Sequence, residues 1–238
     1  MNKKLDKYQK WLQIIFDEVL DLSFSEEVWN TLTKIEKRSS HFKKYGGHLQ
    51  LWIDKNYTYK VIVQIAKICD PKANRKDDMN LTLFLSKLKE KQYISFEKFL
   101  ATYKKTPIKE EERKILYYYG NTPLYELTTT IEDVQKNFKE ITGYSHKRTD
   151  FSIMINKDIN QVKEVFNIIE KFRHKKIVHL TRTDADKIPT YGDIKKCIKI
   201  LKKIVKKYYL ILFNEHQSFH FINLNIKTVF EEPWIKNE

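Results

Sequence analysis

Apolar residues at Leu5, Tyr8, Leu12, Ile15, Phe16, Val19 and Leu20 recur at the three- and four-residue spacing of a single helix face. Ser25, followed by Glu26 and Glu27, has the form of an N-cap, and predicts a second helix through Val28, Leu32 and Ile35 that ends near Gly46 and Gly47. From His48 to Cys69 the chain carries Leu51, Val61, Ile62, Ile65 and Ile68 with scarcely a breaker before Asp70 and Pro71, which predicts a core helix. Pro71 to Asp78 reads as a polar loop, Asn80 as a cap, and Leu81, Leu83, Phe84, Leu85 and Leu88 as a short helix. Between Tyr93 and Tyr125 the breakers Pro107, Gly120 and Pro123 interrupt the pattern, so short helices and loops are expected there. Helical spacing returns from Thr130 to Ile141, and Gly143 to Asn156 reads as a polar connection.

The C-terminal pattern is plainer. Asp158 has the form of a cap for a helix with Val162, Val165, Phe166, Ile169 and Phe172 on one stripe, running to about Val178. His179 to Pro189 is then a loop. Thr190 to about Phe213 forms a last long helix, with Ile194, Ile198, Leu201, Val205 and Tyr208 on one face and lysines on another. Past Asn214, the apolar positions Phe219, Phe221, Ile222, Leu224 and Ile226 fit a terminal strand or an extended tail equally well. No internal repeat and no Gly-rich or Pro-rich linker forces a boundary. The expectation is a single all-α domain over residues 1–238, an antiparallel helical bundle with a core region of about 60–213 and a tail over 214–238.

Composition supports that class. Hydrophobic residues make up 41% of the 238 and aromatics 13%, against 5 Gly and 5 Pro, which disfavours low-complexity disorder, collagen-like structure and a turn-rich all-β fold. No run approaches the roughly 18 uncharged apolar residues of a membrane span, and the first ten residues lead into a charged amphipathic pattern instead of a signal peptide. A cytoplasmic location without a membrane partner is therefore expected. Cys69 and Cys197 each lie inside an apolar helical stretch and read as buried small hydrophobes, not as a disulfide or a metal pair.

Charge narrows the partner. The formal net charge is +14, which favours polyanions as partners: RNA, DNA or an acidic protein surface. Residues 171–207 hold thirteen Lys and Arg against three Asp, a local balance of +10. Lys195, Lys199, Lys202 and Lys206 repeat at four, three and four, so they form one stripe beside an apolar face, suited to tracking phosphates; a merely solvated helix face would show the same stripe.

The segment most informative about chemistry runs from Phe172 to His179. Arg173 lies four residues after Ile169 and seven after Phe166, and His179 lies seven after Phe172, so each stands where an edge of the apolar stripe leaves the core. In a continuous α-helix the two are about 120° apart, flanking one face. One reading pairs Arg173 with an acidic residue of the bundle and makes His179 a helix C-cap. The other is catalytic: a histidine can move a proton near neutral pH, and an arginine can hold a phosphate bidentately, which together suit cleavage of RNA by its own 2′-hydroxyl. DNA lacks that nucleophile, so the pair predicts RNA as the polymer cleaved. His216 and His220 have a metal-compatible spacing only if helical, and only two ligands are in sight. Tyr117, Tyr118, Tyr119 and Tyr125 fit core packing better than base stacking. No P-loop, dinucleotide fingerprint, nucleophile elbow or zinc-spaced cysteine set is present, so no metal or cofactor is expected.

The residues RHKKIVH, Arg173 to His179, resemble the Arg-polar-x4-His signature of HEPN-domain proteins, and with PTYGDI at Pro189 to Ile194 they resemble the AbiU-type abortive-infection branch. The upstream segments KICDP (Lys67 to Pro71) and NLTLFLSKL (Asn80 to Leu88) are similar to a second pattern of that branch. The resemblance implies an antiparallel bundle of HEPN type that forms a homodimer, with Arg and His of both subunits meeting in a cleft, and metal-independent endoribonuclease activity in phage defence or a toxin–antitoxin system. It assigns Arg173 to the phosphate, His179 to acid–base chemistry and His174 to support of the site. Lys175, Lys176, Arg182, Lys195, Lys199, Lys202 and Lys206 are the expected RNA contacts, and an antitoxin protein is a possible further partner. Thr181 stands where many members neutralised by a nucleotidyltransferase carry Tyr, and His174 where Asn or Asp is commoner. The alternative is a catalytically inactive HEPN-fold module that binds RNA or a partner protein.

Overall fold

In a computed structural model, which describes residues 6–38, 47–72, 79–103, 107–109, 115–119, 122–125, 129–174 and 189–219, the chain is all-α. The described helices are α1 (Lys7–Arg38), α2 (Gly47–Cys69), α3 (Leu81–Glu90), α4 (Phe96–Leu100), α5 (Ile131–Thr142), α6 (Ser152–Phe172) and α7 (Tyr191–Phe213). One antiparallel hairpin, β1 (Ile115–Tyr119) and β2 (Thr122–Tyr125), lies between α4 and α5. Tyr119 pairs with Thr122 and Tyr118 with Pro123, and a bulge separates Ile115 from Tyr117. A two-stranded ribbon consists of edges only, so Pro123 needs no ladder partner for a missing N–H. Within the Tyr93 to Tyr125 stretch, α4 is one of the short helices expected, and the hairpin stands where further short helices or loops were expected. The signal for it was present: two β-prone runs separated by Gly120-Asn121.

The chain divides into two compact units. The first takes residues 1–12, 84–160 and 204–217. Its core is rich in rings: Phe84 meets Trp11 and Tyr208 edge-on at 5.9 and 6.1 Å, and Phe138 contacts Phe99, Phe96 and Phe151 at 5.3 to 5.6 Å. Edge-on pairs of this kind are favoured by the ring quadrupole. Gln9 donates from Nε2 to the carbonyl of Leu212 at 2.8 Å, satisfying one of the carbonyls left open at the end of α7. Thr130 and Asp133 close a reciprocal capping box on α5, and Gly143, at φ 77°, ends that helix in the left-handed conformation that glycine adopts without strain.

The second unit takes residues 13–83, 161–203 and 218–238. Its core is built from Ile15, Val19 and Leu22 of α1, Val61, Ile62, Ile65, Ala66, Ile68 and Cys69 of α2, Val162, Val165 and Phe166 of α6, and Ile194, Ile198 and Leu201 of α7. The thiol of Cys197 faces the carbonyl of Val165, Tyr59 meets Phe172 at 6.3 Å, and Phe219 stacks on Phe16 at 5.0 Å. Cys69 and Cys197 are buried free thiols. Burial is the chief reason that both hold their protons more tightly than an exposed thiol, with Cys197 pushed up to about 11.

Several expectations change. Ser25 caps nothing: α1 runs through it unbroken, and its hydroxyl donates to the carbonyl of Asp21 at 2.9 Å while accepting from Lys60. A serine whose hydroxyl bonds back one turn sits comfortably inside a helix. Gly47 opens α2 instead of closing the helix before it, and only the second half of α2 is core, Leu51 being 68% exposed. Asp158 is not a cap either. Phe151, Met154, Ile155 and Ile159 carry the buried stripe of α6 back to Ser152, and Asp158 falls inside that stripe, 4% exposed. Its carboxylate accepts from the ammonium of Lys207 and, at 2.8 Å, from the Tyr208 hydroxyl. The tail beyond residue 219, and the stretch where α6 was expected to run on to Val178, lie outside the described residues.

Asp158→Ala would take the acceptor from the buried Tyr208 hydroxyl and a counter-charge from Lys207, and is expected to cost about 3 kcal/mol in chemical denaturation, the scale for breaking a buried charge pair. Burial first, and then the charge of Asp158, push the Tyr208 hydroxyl well above its ordinary value of 10.0. The folded chain therefore keeps a proton that the unfolded chain releases. This contribution to stability is complete below pH 10.0 and is lost as the pH climbs above it, so Tyr208→Phe should flatten the alkaline side of a denaturation-versus-pH curve.

Candidate active site

Arg173 stands at the end of the buried stripe of α6, directly after Phe172, where the helix opens into a wider π-type turn spanning Arg173 and His174. Its guanidinium lies 5.5 Å from the centre of the Phe166 ring two turns back. Nη1 lies 4.0 Å from a carboxylate oxygen of Asp70, and the side chain is 27% exposed. Among the described residues its buried Nε–H has no acceptor. The guanidinium thus has a carboxylate at the limit of ion-pair distance, an aromatic face and, among the described residues, a buried donor without an acceptor, which equips it to bind a further anion.

What places Asp70 there is the junction of α2 and α3. The last carbonyls of α2 lack partners within the helix. Thr82 donates its hydroxyl to the carbonyl of Cys69 at 2.8 Å, and Asn80 donates from Nδ2 to the carbonyl of Asp70 at 3.0 Å. Asn80 also accepts from the N–H of Leu83 at 2.8 Å, capping α3 as its position in the sequence predicts. The N–H of Lys72 donates to the other carboxylate oxygen of Asp70, and the Lys72 ammonium meets Glu170 at 3.2 Å. Sequence pattern marks Asp70 as a helix stop within the KICDP segment and not as a partner of Arg173, although the reading that pairs Arg173 with an acidic residue anticipates its kind of partner.

The other candidates are spread unevenly. His174 follows Arg173 and is exposed. His179, Lys175, Lys176 and Arg182 lie outside the described residues. The helical-wheel angle expected between Arg173 and His179 assumes a continuous α-helix; Arg173 and His174 form a wider turn, and the five residues that follow lie outside the described residues. On α7, which Thr190 and Asp193 open with a reciprocal cap, Lys195 and Lys199 are exposed and form no ion pair among the described residues. Lys202 instead meets Glu26 at 3.2 Å with both side chains largely covered, and Lys206 is half-buried. The lysine stripe is thus divided between open and already matched charges. His216 lies beyond the end of α7, so it does not have the helical setting a metal pair with His220 required; His220 is outside the described residues. Among the described residues no group of three His, Cys, Asp or Glu is placed to hold a metal, and no helix is long and apolar enough to cross a membrane.

The family model of AbiU2, a HEPN family, matches residues 5–227, a span that takes in Asp70, the whole Arg173 to His179 segment and α7. No curated protein and no solved structure matches the chain.

The α2–α3 junction and the Asp70 pair should separate in stability. Asn80→Ala removes a cap and is expected to cost about 1 kcal/mol. Asp70→Asn weakens a partly exposed pair at 4.0 Å and should cost less than about 1 kcal/mol in the same denaturation measurement.

Proposed function

The chain belongs to the AbiU2 family of HEPN domains, and on that premise we propose that it is a metal-independent endoribonuclease of a phage-defence or toxin–antitoxin system. AbiU2 is an abortive-infection-related HEPN module, and HEPN domains are often ribonucleases. The observation that carries the reading is Arg173. It is a guanidinium at the end of a core helix, backed by the Phe166 ring, with, among the described residues, one distant carboxylate and a buried N–H lacking an acceptor. A scissile phosphate supplies the missing charge and acceptors.

In this reading the substrate's 2′-hydroxyl attacks the neighbouring phosphorus. The bond from that oxygen to phosphorus forms as the bond to the 5′-oxygen breaks. The hydroxyl proton passes to one His179 imidazole, and the departing oxygen takes a proton from another, which a homodimer provides. Arg173 offsets the charge gathered on the phosphoryl oxygens, and His174 supports the site. Lys175, Lys176, Arg182, Lys195, Lys199, Lys202 and Lys206 draw RNA to the protein, Lys202 only by releasing Glu26. An antitoxin protein would act by covering this face. No cofactor takes part.

The test is incubation of the purified protein with total RNA in EDTA. Products ending in 2′,3′-cyclic phosphate and 5′-hydroxyl are expected. Arg173→Ala and His179→Ala should each lower the rate roughly 100-fold or more, and Arg173→Lys should also fail because an ammonium lacks the bidentate fork. Light scattering should give a dimer. If EDTA stops cleavage, or both alanine variants cut as fast as the parent, the assignment fails. In that case the Asp70 contact of Arg173 favours the non-enzymatic RNA- or partner-binding module.

A further inference from the structure

Tyr191, in the first turn of α7, is a large aromatic side chain held rigidly yet left 41% exposed. Its ring stacks on Trp29 at 4.4 Å and 28°, and Trp29 stacks on Tyr57 at 5.0 Å and 13°. Trp29 is fixed in turn by donating from Nε1 to Asp54 at 2.8 Å, and Asp54 also faces the Tyr191 hydroxyl. The reciprocal cap of Thr190 and Asp193 sets the backbone immediately around Tyr191. A ring pinned from behind in this way loses little freedom when a flat partner covers it.

The charges around the ring indicate what that partner is. The carboxylates beside the ring are engaged within the protein, Asp54 by Trp29, Glu26 by Lys202 and Asp193 by the backbone N–H and hydroxyl of Thr190. On α7, Lys195 and Lys199 follow Tyr191 by four and eight residues, which places them about 40° and 80° round the helix and about 6 and 12 Å along it. They are exposed and have no ion pair among the described residues. An exposed aromatic at the head of a row of unmatched cations is the arrangement by which single-stranded nucleic acid is held without sequence readout, bases on rings and phosphates on lysines.

We propose that Tyr191, backed by Trp29 and Tyr57, is a base-stacking platform for single-stranded RNA, with Lys195 and Lys199 neutralising the adjoining phosphates. This subsite rests on the reading of RNA as the ligand and extends it to residues separate from Arg173 and His179. It holds the strand while chemistry occurs elsewhere.

The test uses the full-length protein and a fluorescein-labelled 2′-O-methyl oligoribonucleotide, which binds but cannot supply the attacking hydroxyl, followed by anisotropy across a salt series. Tyr191→Leu is expected to weaken binding about 5- to 100-fold with an unchanged salt slope, the range for one stacked base, and Tyr191→Phe to bind like the parent. Replacing Lys195 and Lys199 together with Gln should instead lower the salt slope by about 1.4, the value for two single-strand phosphate contacts. An oligomer made wholly abasic should lose affinity on the parent and show no further loss on Tyr191→Leu. Parent-like binding by a folded Tyr191→Leu overturns the platform. If that variant does not fold, equal parental affinity for the abasic and base-bearing strands overturns it. The RNA reading has its own control. A parent that cleaves and binds RNA while Tyr191→Leu binds equally well disproves the platform alone, whereas no RNA binding by the parent disproves both. Stacking on Tyr191 with Arg173 and His179 dispensable for cleavage disproves the catalytic assignment alone.

Discussion

The buried carboxylate of Asp158 meets the main difficulty of this chain, which is that its longest C-terminal helix must be both core and polycation. Helix α7 buries Ile194, Cys197, Ile198, Leu201, Ile204, Val205, Tyr208 and Leu212 while carrying seven lysines. Burying an apolar side chain stabilises by roughly 1.5–3 kcal/mol, but a lysine drawn inward without a counter-charge would offset more than one of them. Asp158 accepts from Lys207 and Tyr208 at one margin, and in the other unit Glu26 accepts from Lys202. With those charges matched, Lys195 and Lys199 stay exposed, and the positive surface is confined to one side of the helix.

A similar economy of polar groups shapes the surroundings of Arg173. The end of α2 leaves carbonyls that the helix cannot satisfy, and Asn80 and Thr82 at the start of α3 satisfy two of them. Asp70 is held at that junction by its own carbonyl and by the Lys72 N–H, with its carboxylate towards Arg173. The NLTL segment therefore has a physical purpose. Its Asn and Thr close one helix while opening the next, and in doing so they fix the acidic neighbour of the arginine.

The long helices were legible because amphipathic periodicity is a local property that survives any arrangement of partners. The ranges expected from His48 to Cys69, Leu81 to Leu88, Thr130 to Ile141 and Thr190 to Phe213 lie within a residue or two of those observed. Reading failed where a polar residue had two uses. Ser25 and Asp158 are both good caps, and only neighbours distant in sequence turned them into interior residues, Ser25 by accepting from Lys60 and Asp158 by pairing with Lys207 and Tyr208. Of the site, Arg173 and its neighbour His174 were recognisable as a motif. Asp70 lay within the KICDP segment, but its pairing with Arg173 was not legible, because it lies a hundred residues away and no spacing rule connects the two.

The sequence by itself determined the helical class, the family, the concentration of positive charge in residues 171–207 and the identity of the Arg–His segment. All of these depend on residue order within one or two elements. Only the tertiary structure decided which lysines of α7 stay exposed, which carboxylate faces Arg173 and which tyrosine is pinned by Trp29 while still exposed. Each is settled by pairs far apart in the chain, Lys202 with Glu26, Arg173 with Asp70 and Tyr191 with Trp29. The free energy of such pairs depends on distance and burial, and neither is encoded in local spacing.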